Sequence, residues 1–243
     1  MRKIVIRAFI LVSALVFVLP SVSVSAATIQ DYSYNWAGYI ANTDGKTSPF
    51  YSVSATWTVP TVTGTDTAYS SMWVGIGGGA RGSSKLIQAG TEQDSPGSYS
   101  AWYEIYPQFP VDLGAVEPGD TVSVTISDND GKPQTWNITM TVSGDTTDIS
   151  VDVDVKLHPN FGSLSTAEFI VERPLLVVGH QLAPLADFHY ATFSNFAVNE
   201  MGLSGWDELE REFMSNDLSA DGVVASTGYL ASDSFTVYYG TPV

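Results

Sequence analysis

The chain contains no cysteine, little positive charge, only three histidines and, beyond its N-terminus, no long apolar run. Each shortage removes a class of chemistry. Without thiols there is no cysteine nucleophile, no thiolate metal centre and no disulfide. His158, His180 and His189 lack the spacing of a zinc site. No Gly-x-Ser-x-Gly elbow is present to seat a serine triad. Neither a cofactor nor a metal is expected. Ten Lys and Arg stand against 26 Asp and Glu. Such a surface suits neither nucleic acid nor an anionic membrane.

What is present begins with a secretory pattern. Arg2, Lys3 and Arg7 precede an apolar run from Ala8 to Leu19, and Val24-Ser25-Ala26 supplies small residues for cleavage. The run is too short to span a bilayer comfortably. Residues 1–26 are therefore expected to be a signal peptide. Residues 27–243 are expected to form a single secreted domain, a monomer that contacts no membrane after cleavage. Loss of the three leader cations leaves 7 basic residues against 26 acidic ones, a net of −19. Below pH ~4 most of those carboxylates are neutral, and so few cations repel one another little. The composition therefore suits acid.

The body reads as all-β. Tyr51, Val53, Ala55, Trp57 and Val59 alternate with Ser and Thr, the period-two pattern of a half-buried strand. Similar alternation recurs at 121–127, 134–142, 149–155, 167–171, 190–197 and 235–239. Asp44-Gly45, Asp128-Asn129-Asp130-Gly131, Ser143-Gly144-Asp145, Pro159-Asn160 and Asp221-Gly222 supply turns between them. Strands without intervening helices favour a sandwich or barrel. One helix is expected near 204–216, where Trp206, Leu209, Phe213 and Met214 fall at helical spacing behind Ser204 as N-cap.

Three polar islands interrupt the apolar strands. Gln88 sits in Leu86-Ile87-Gln88-Ala89-Gly90, Glu104 in Ala101-Trp102-Tyr103-Glu104, and Glu168 and Glu172 in Ala167-Glu168-Phe169-Ile170-Val171-Glu172. Alternation puts Gln88 with Leu86, Glu104 with Trp102 and Tyr106, and Glu168 with Ile170 and Glu172. A buried acid or amide is costly unless partnered. On a two-faced sheet such residues also simply face water. Gly77-Gly78-Gly79-Ala80-Arg81-Gly82 has the spacing of a dinucleotide fingerprint, but no βαβ unit surrounds it, so it reads as a glycine-rich loop. Three functions fit the islands. One is metal-free hydrolysis by Gln and Glu. The second is glycoside hydrolysis by Glu104 and Glu168. The third is a non-catalytic carbohydrate- or peptide-binding platform of Trp73, Trp102 and Tyr106.

In order along the chain, Asn35-Trp36-Ala37-Gly38, Trp73-Val74-Gly75-Ile76, the Gln88 segment, the Glu104 segment, the Glu168 segment and Pro184-Leu185-Ala186-Asp187-Phe188 resemble the glutamic peptidases of the eqolisin type. These are pepstatin-insensitive acid endopeptidases. The resemblance implies a concanavalin-like β-sandwich of two large curved antiparallel sheets and a polypeptide substrate. It places the catalytic pair on Gln88 and Glu168, cleft-lining tryptophans on Trp73 and Trp102, and a supporting acid on Glu104. In that reading Glu168, as carboxylate, deprotonates the attacking water, and the Gln88 amide stabilises the oxyanion. The chain departs from the family where acids are common: Gly77-Gly78 follows Ile76, and Ser100 precedes Ala101. N-terminal sequencing of the exported protein is expected to begin at Ala27; a different first residue would move the cleavage site.

Overall fold

The computed structural model describes residues 27–43, 50–79, 85–128, 134–157, 164–176, 181–206 and 208–241. The expected leader, the turns at Asp44-Gly45, Asn129–Gly131 and Pro159-Asn160, and His158 and His180 lie outside the described residues. In chain order the strands are β1 (Ala27–Ser33), β2 (Trp36–Asn42), β3 (Ser52–Thr58), β4 (Tyr69–Ile76), β5 (Leu86–Asp94), β6 (Ser98–Tyr106), β7 (Val111–Ala115), β8 (Thr121–Asp128) and β9 (Thr135–Ser143). Then come β10 (Asp148–Lys156), β11 (Thr166–Glu172), β12 (Leu175–Leu176), β13 (Gln181–Leu182), β14 (Tyr190–Val198), β15 (Glu208–Ser215), β16 (Val223–Thr227) and β17 (Ser234–Tyr239).

All but β12 and β13 belong to one continuous sheet in the order β10-β9-β8-β3-β14-β17-β16-β15-β2-β11-β4-β5-β6-β7. β1 adds to β15 in parallel, and the other strand pairs are antiparallel. The sheet curls over itself. β3 and β8 pack against β4 and β5, and β7 meets β10, so the ladder nearly closes. The expected two curved layers are present, hydrogen-bonded to each other through β15 and β16.

Alternation explains the first layer. β3 buries Val53, Ala55 and Trp57 and turns Ser52, Ser54 and Thr56 away; β9 buries Trp136, Ile138, Met140 and Val142. The edge strand β10 exposes Asp148, Ser150, Asp152 and Asp154, and charges of this kind discourage a further strand from pairing there. The second layer differs. β2, β4 and β11 are buried on both faces. Tyr39 and Phe169 enter the main core with Trp57, Phe193 and Phe235. On the opposite face Ile40, Trp73, Leu86, Trp102 and Ile170 form a second apolar cluster, with Trp36 against it.

The expected helix at 204–216 is absent. Leu203–Gly205 forms one 3-10 turn, and Glu208–Ser215 is strand β15. Glu-Leu-Glu-Arg-Glu-Phe-Met is a good helix sequence, yet its backbone is claimed by β2 on one side and β1 on the other. Tertiary pairing overrides the local helical preference. Leu209 and Met214 are buried as expected, but on a sheet.

Gly90 shows how tightly the second layer is packed. A Cβ there would lie 2.2 Å from the Met72 carbonyl oxygen and 2.5 Å from Trp73 Cβ. Gly90→Ala is expected to cost about 3 kcal/mol, read as a lower urea midpoint; an unchanged midpoint would show that β4 and β5 can separate freely.

Candidate active site

The strand registers set the polar islands in rows across the second layer. Glu168 on β11 faces Gly75 on β4, Gly75 faces Gln88 on β5, and Gln88 faces Glu104 on β6. The next row toward the C-terminal end of β11 is Ile170, Trp73, Gly90 and Trp102. Beyond it lie Glu172, Ser71, Glu92 and Ser100. Neighbouring strands are ~4.8 Å apart, so Glu168 and Gln88 flank Gly75 at ~10 Å between Cα atoms. Gly75 is crowded on its own face. A Cβ there would lie 2.8 Å from Leu86 Cδ1 and 3.1 Å from Trp73 Cζ3.

A cleft of about 870 Å³ lies over these rows. Gln88, Glu104 and Trp102 line it, and so do Glu92 and Glu172. Tyr106, Phe109 and Leu175 provide exposed apolar walls. Gln88 is 6 % exposed, and its Nε2 donates to Glu104 Oε2. That bond fixes the amide orientation and leaves the buried Oε1 without a partner. Burial raises Glu104, against the Gln88 hydrogen bond.

Glu168 is 0 % exposed and does not itself line the cleft. The described part of the glycine loop, Gly77–Gly79, covers it. The Gly79 N–H donates to Glu168 Oε1 at 2.7 Å, and Gly78 lines the cleft. A side chain on Gly79 would collide with Ile40 and stand 3.2 Å from that same oxygen. Glu168 Oε2 is buried and unpartnered. Burial pushes Glu168 up to about 7, against donors from Thr166 and the glycine backbone. The sequence treats this acid as an ordinary carboxylate; its surroundings make it a proton-holding acid below neutral pH.

The third row was only partly legible. Glu172 keeps some contact with the cleft, but protein packs so closely around its carboxyl that burial dominates and pushes it up to about 7. It accepts hydrogen bonds from Asn35 Nδ2 (3.0 Å) and Trp73 Nε1 (2.8 Å). Trp36 lies beside it and favours the anion without a hydrogen bond of good geometry. Glu92 accepts from Ser71 Oγ at 3.2 Å, and burial and then Asp94 push it up to about 7. Alternation from Gln88 reaches Glu92 four residues on, the signal that would have found it. Elsewhere, the carboxylates of Asp31, Glu210 and Glu212 lie within 4.8 Å of one another on β1 and β15. They are the described group able to gather round a cation.

A model of the Peptidase A4 family matches residues 34–239. The chain belongs to that family. It is a glutamic-type endopeptidase of the eqolisin type, which sets aside the glycoside-hydrolase and binding-module readings. Aspergillopepsin-2 of Aspergillus niger is 30% identical over 88% of this chain and 80% of its own length. Scytalidopepsin B of Scytalidium lignicola is 32% identical over 62% of this chain and 55% of its own. The fold is similar to that of scytalido-glutamic peptidase bound to a transition-state analogue inhibitor (TM-score 0.70, 24% identity, 85% of this chain and 98% of that one). The aspergilloglutamic peptidase structure from Aspergillus niger aligns with TM-score 0.51 at 26% identity, over 71% of this chain and 99% of that one.

The raised carboxyls link stability to pH. Between an unfolded value of ~4.3 and about 7, folded Glu92, Glu168 and Glu172 hold protons that the unfolded chain has released. The unfolded state then binds fewer protons, so stability falls as pH rises through that window. The urea midpoint is expected to be higher at pH 5 than at pH 8; the reverse order would mean that these groups are ionised in the folded protein.

Proposed function

We propose that this peptidase cleaves polypeptides with Glu168 and Gln88 as its catalytic pair, working at acidic pH. The observation that carries the reading is the row Glu168–Gly75–Gln88–Glu104. It sets one acid and one oriented amide on the same face of the layer, on either side of a residue without a side chain.

Below about pH 7 Glu168 enters the reaction protonated. Water, held by the unpartnered Gln88 Oε1, attacks the carbonyl carbon. The carbonyl oxygen takes the Glu168 proton, and the Glu168 carboxylate then takes a proton from the added water. This leaves a neutral tetrahedral adduct and a recharged Glu168. The same acid next protonates the leaving nitrogen as the C–N bond breaks, and recovers a proton from the new carboxyl group. The second Nε2 hydrogen of Gln88, the one not given to Glu104, stabilises the oxygen as charge develops. A donor in that position is worth roughly 3–4 kcal/mol in the transition state. Trp73 and Trp102 support the cleft floor, and Glu104 positions the amide. The apolar walls, and a cleft crowded with carboxyls that are neutral in acid, suit an uncharged stretch of unfolded chain. No described helix is long and apolar enough to cross a membrane, and we take the enzyme to act as a secreted monomer.

Glu168→Gln is expected to abolish cleavage of a denatured protein substrate while its melting curve survives. Wild-type kcat/KM is expected to fall as pH rises through about 7, where Glu168 loses its proton. Full activity in the variant, or a rate that climbs toward neutral pH, would overturn the acid-first assignment.

A further inference from the structure

Glu172 lies four residues beyond Glu168 on β11, on the same face of the strand. Its two oxygens serve different donors. Oε1 accepts from Asn35 Nδ2 and Oε2 from Trp73 Nε1. Asn35 is itself fixed, because its carbonyl oxygen accepts the Arg173 N–H at 2.8 Å. Trp73 is fully buried, with Ile40, Leu86, Trp102 and Ile170 in its cluster and Trp36 edge-on at 5.1 Å. The far edge of the indole is the informative part. A Cβ built on Gly75 would fall 3.1 Å from Trp73 Cζ3. Cζ3 lies across the rigid ring from Nε1. One planar body therefore reaches from the Glu172 carboxyl group to the glycine between Glu168 and Gln88.

We infer that Glu172 is a positioning residue which, by gripping the Trp73 indole N–H, sets the floor at Gly75 on which the Glu168–Gln88 pair acts. The inference rests on the reading of that pair given above. A hydrogen bond at the ring's polar edge adds a directional restraint to that of packing. The grip needs an acid. Each oxygen of a carboxyl group can accept, one from Asn35 and the other from Trp73, even where the hydroxyl oxygen of the neutral acid also carries a proton. A carboxamide offers one oxygen and must turn its NH₂ toward the second donor. A displacement of the floor by a fraction of an ångström is enough to matter, since a 1 Å misplacement of reacting groups can cost on the order of 10²-fold in rate.

The test is a double-mutant cycle on the full chain with Glu172→Gln, Trp73→Phe and the pair. Trp73→Phe keeps an aromatic ring and deletes the N–H. Each single variant is expected to lower kcat by about 10- to 100-fold, with KM little changed. The double variant is expected to lose no more than the worse single one, because both remove the same contact. Wild-type kcat in either single variant, or losses that multiply in the double, would overturn the inference. Should Glu172→Gln fail to fold, Trp73→Phe alone still decides, since unaltered kcat there leaves Glu172 nothing to act through. Activity retained in Glu168→Gln would sink the pair instead and leave the measured Glu172–Trp73 coupling standing, so the two failures are distinguishable.

Discussion

The site depends on a side chain that is missing. Glu168 and Gln88 belong to strands that do not touch, and a third strand runs between them. They stand on the same face of the layer with only Gly75 between them in the row. Any larger residue would stand between acid and amide and would press on Leu86 and Trp73. Gly90 repeats the device one row away, where it makes room for the Trp73 side chain itself. The floor of the cleft is thus an alternation of absent and very large side chains.

Burying acids in such a floor has a cost, and the chain meets it with protons and donors rather than cations. Glu168 leans on a glycine N–H, Glu172 on an amide and an indole, Glu92 on a hydroxyl. Neutral donors oppose burial only in part, so all three acids end near 7. A guanidinium in the same place would have held them ionised and unable to give up a proton. The nearby Arg173 is directed elsewhere, to the Tyr34 carbonyl and the Asn216 side chain. The glycines at 77 and 78 allow backbone to close over Glu168 and add to its burial.

Much of this was legible in the sequence. Period-two alternation around Trp57, Ile138 and Val237 marked strands that the structure contains, and the faces assigned to Gln88, Glu104 and Glu168 hold. What alternation cannot supply is register. Nothing local says that Glu168 lies level with Gly75, or that Glu172 meets an indole 99 residues earlier in the chain. Glu92 was overlooked because Thr91, Gln93 and Asp94 make its surroundings look like an ordinary polar strand end. The failure at 204–216 has the opposite cause. There the local signal was strong, and a vacant place between β1 and β2 outweighed it.

That place between β1 and β2 also orders events in time. The first strand, the second and the third take neighbours from β15, β11 and β14, all more than a hundred residues downstream. During synthesis, the leading segment emerges with no mate within reach. The growing polypeptide must stay threadable until its last fifth is made, and only then can the ladder zip shut from both ends of the message.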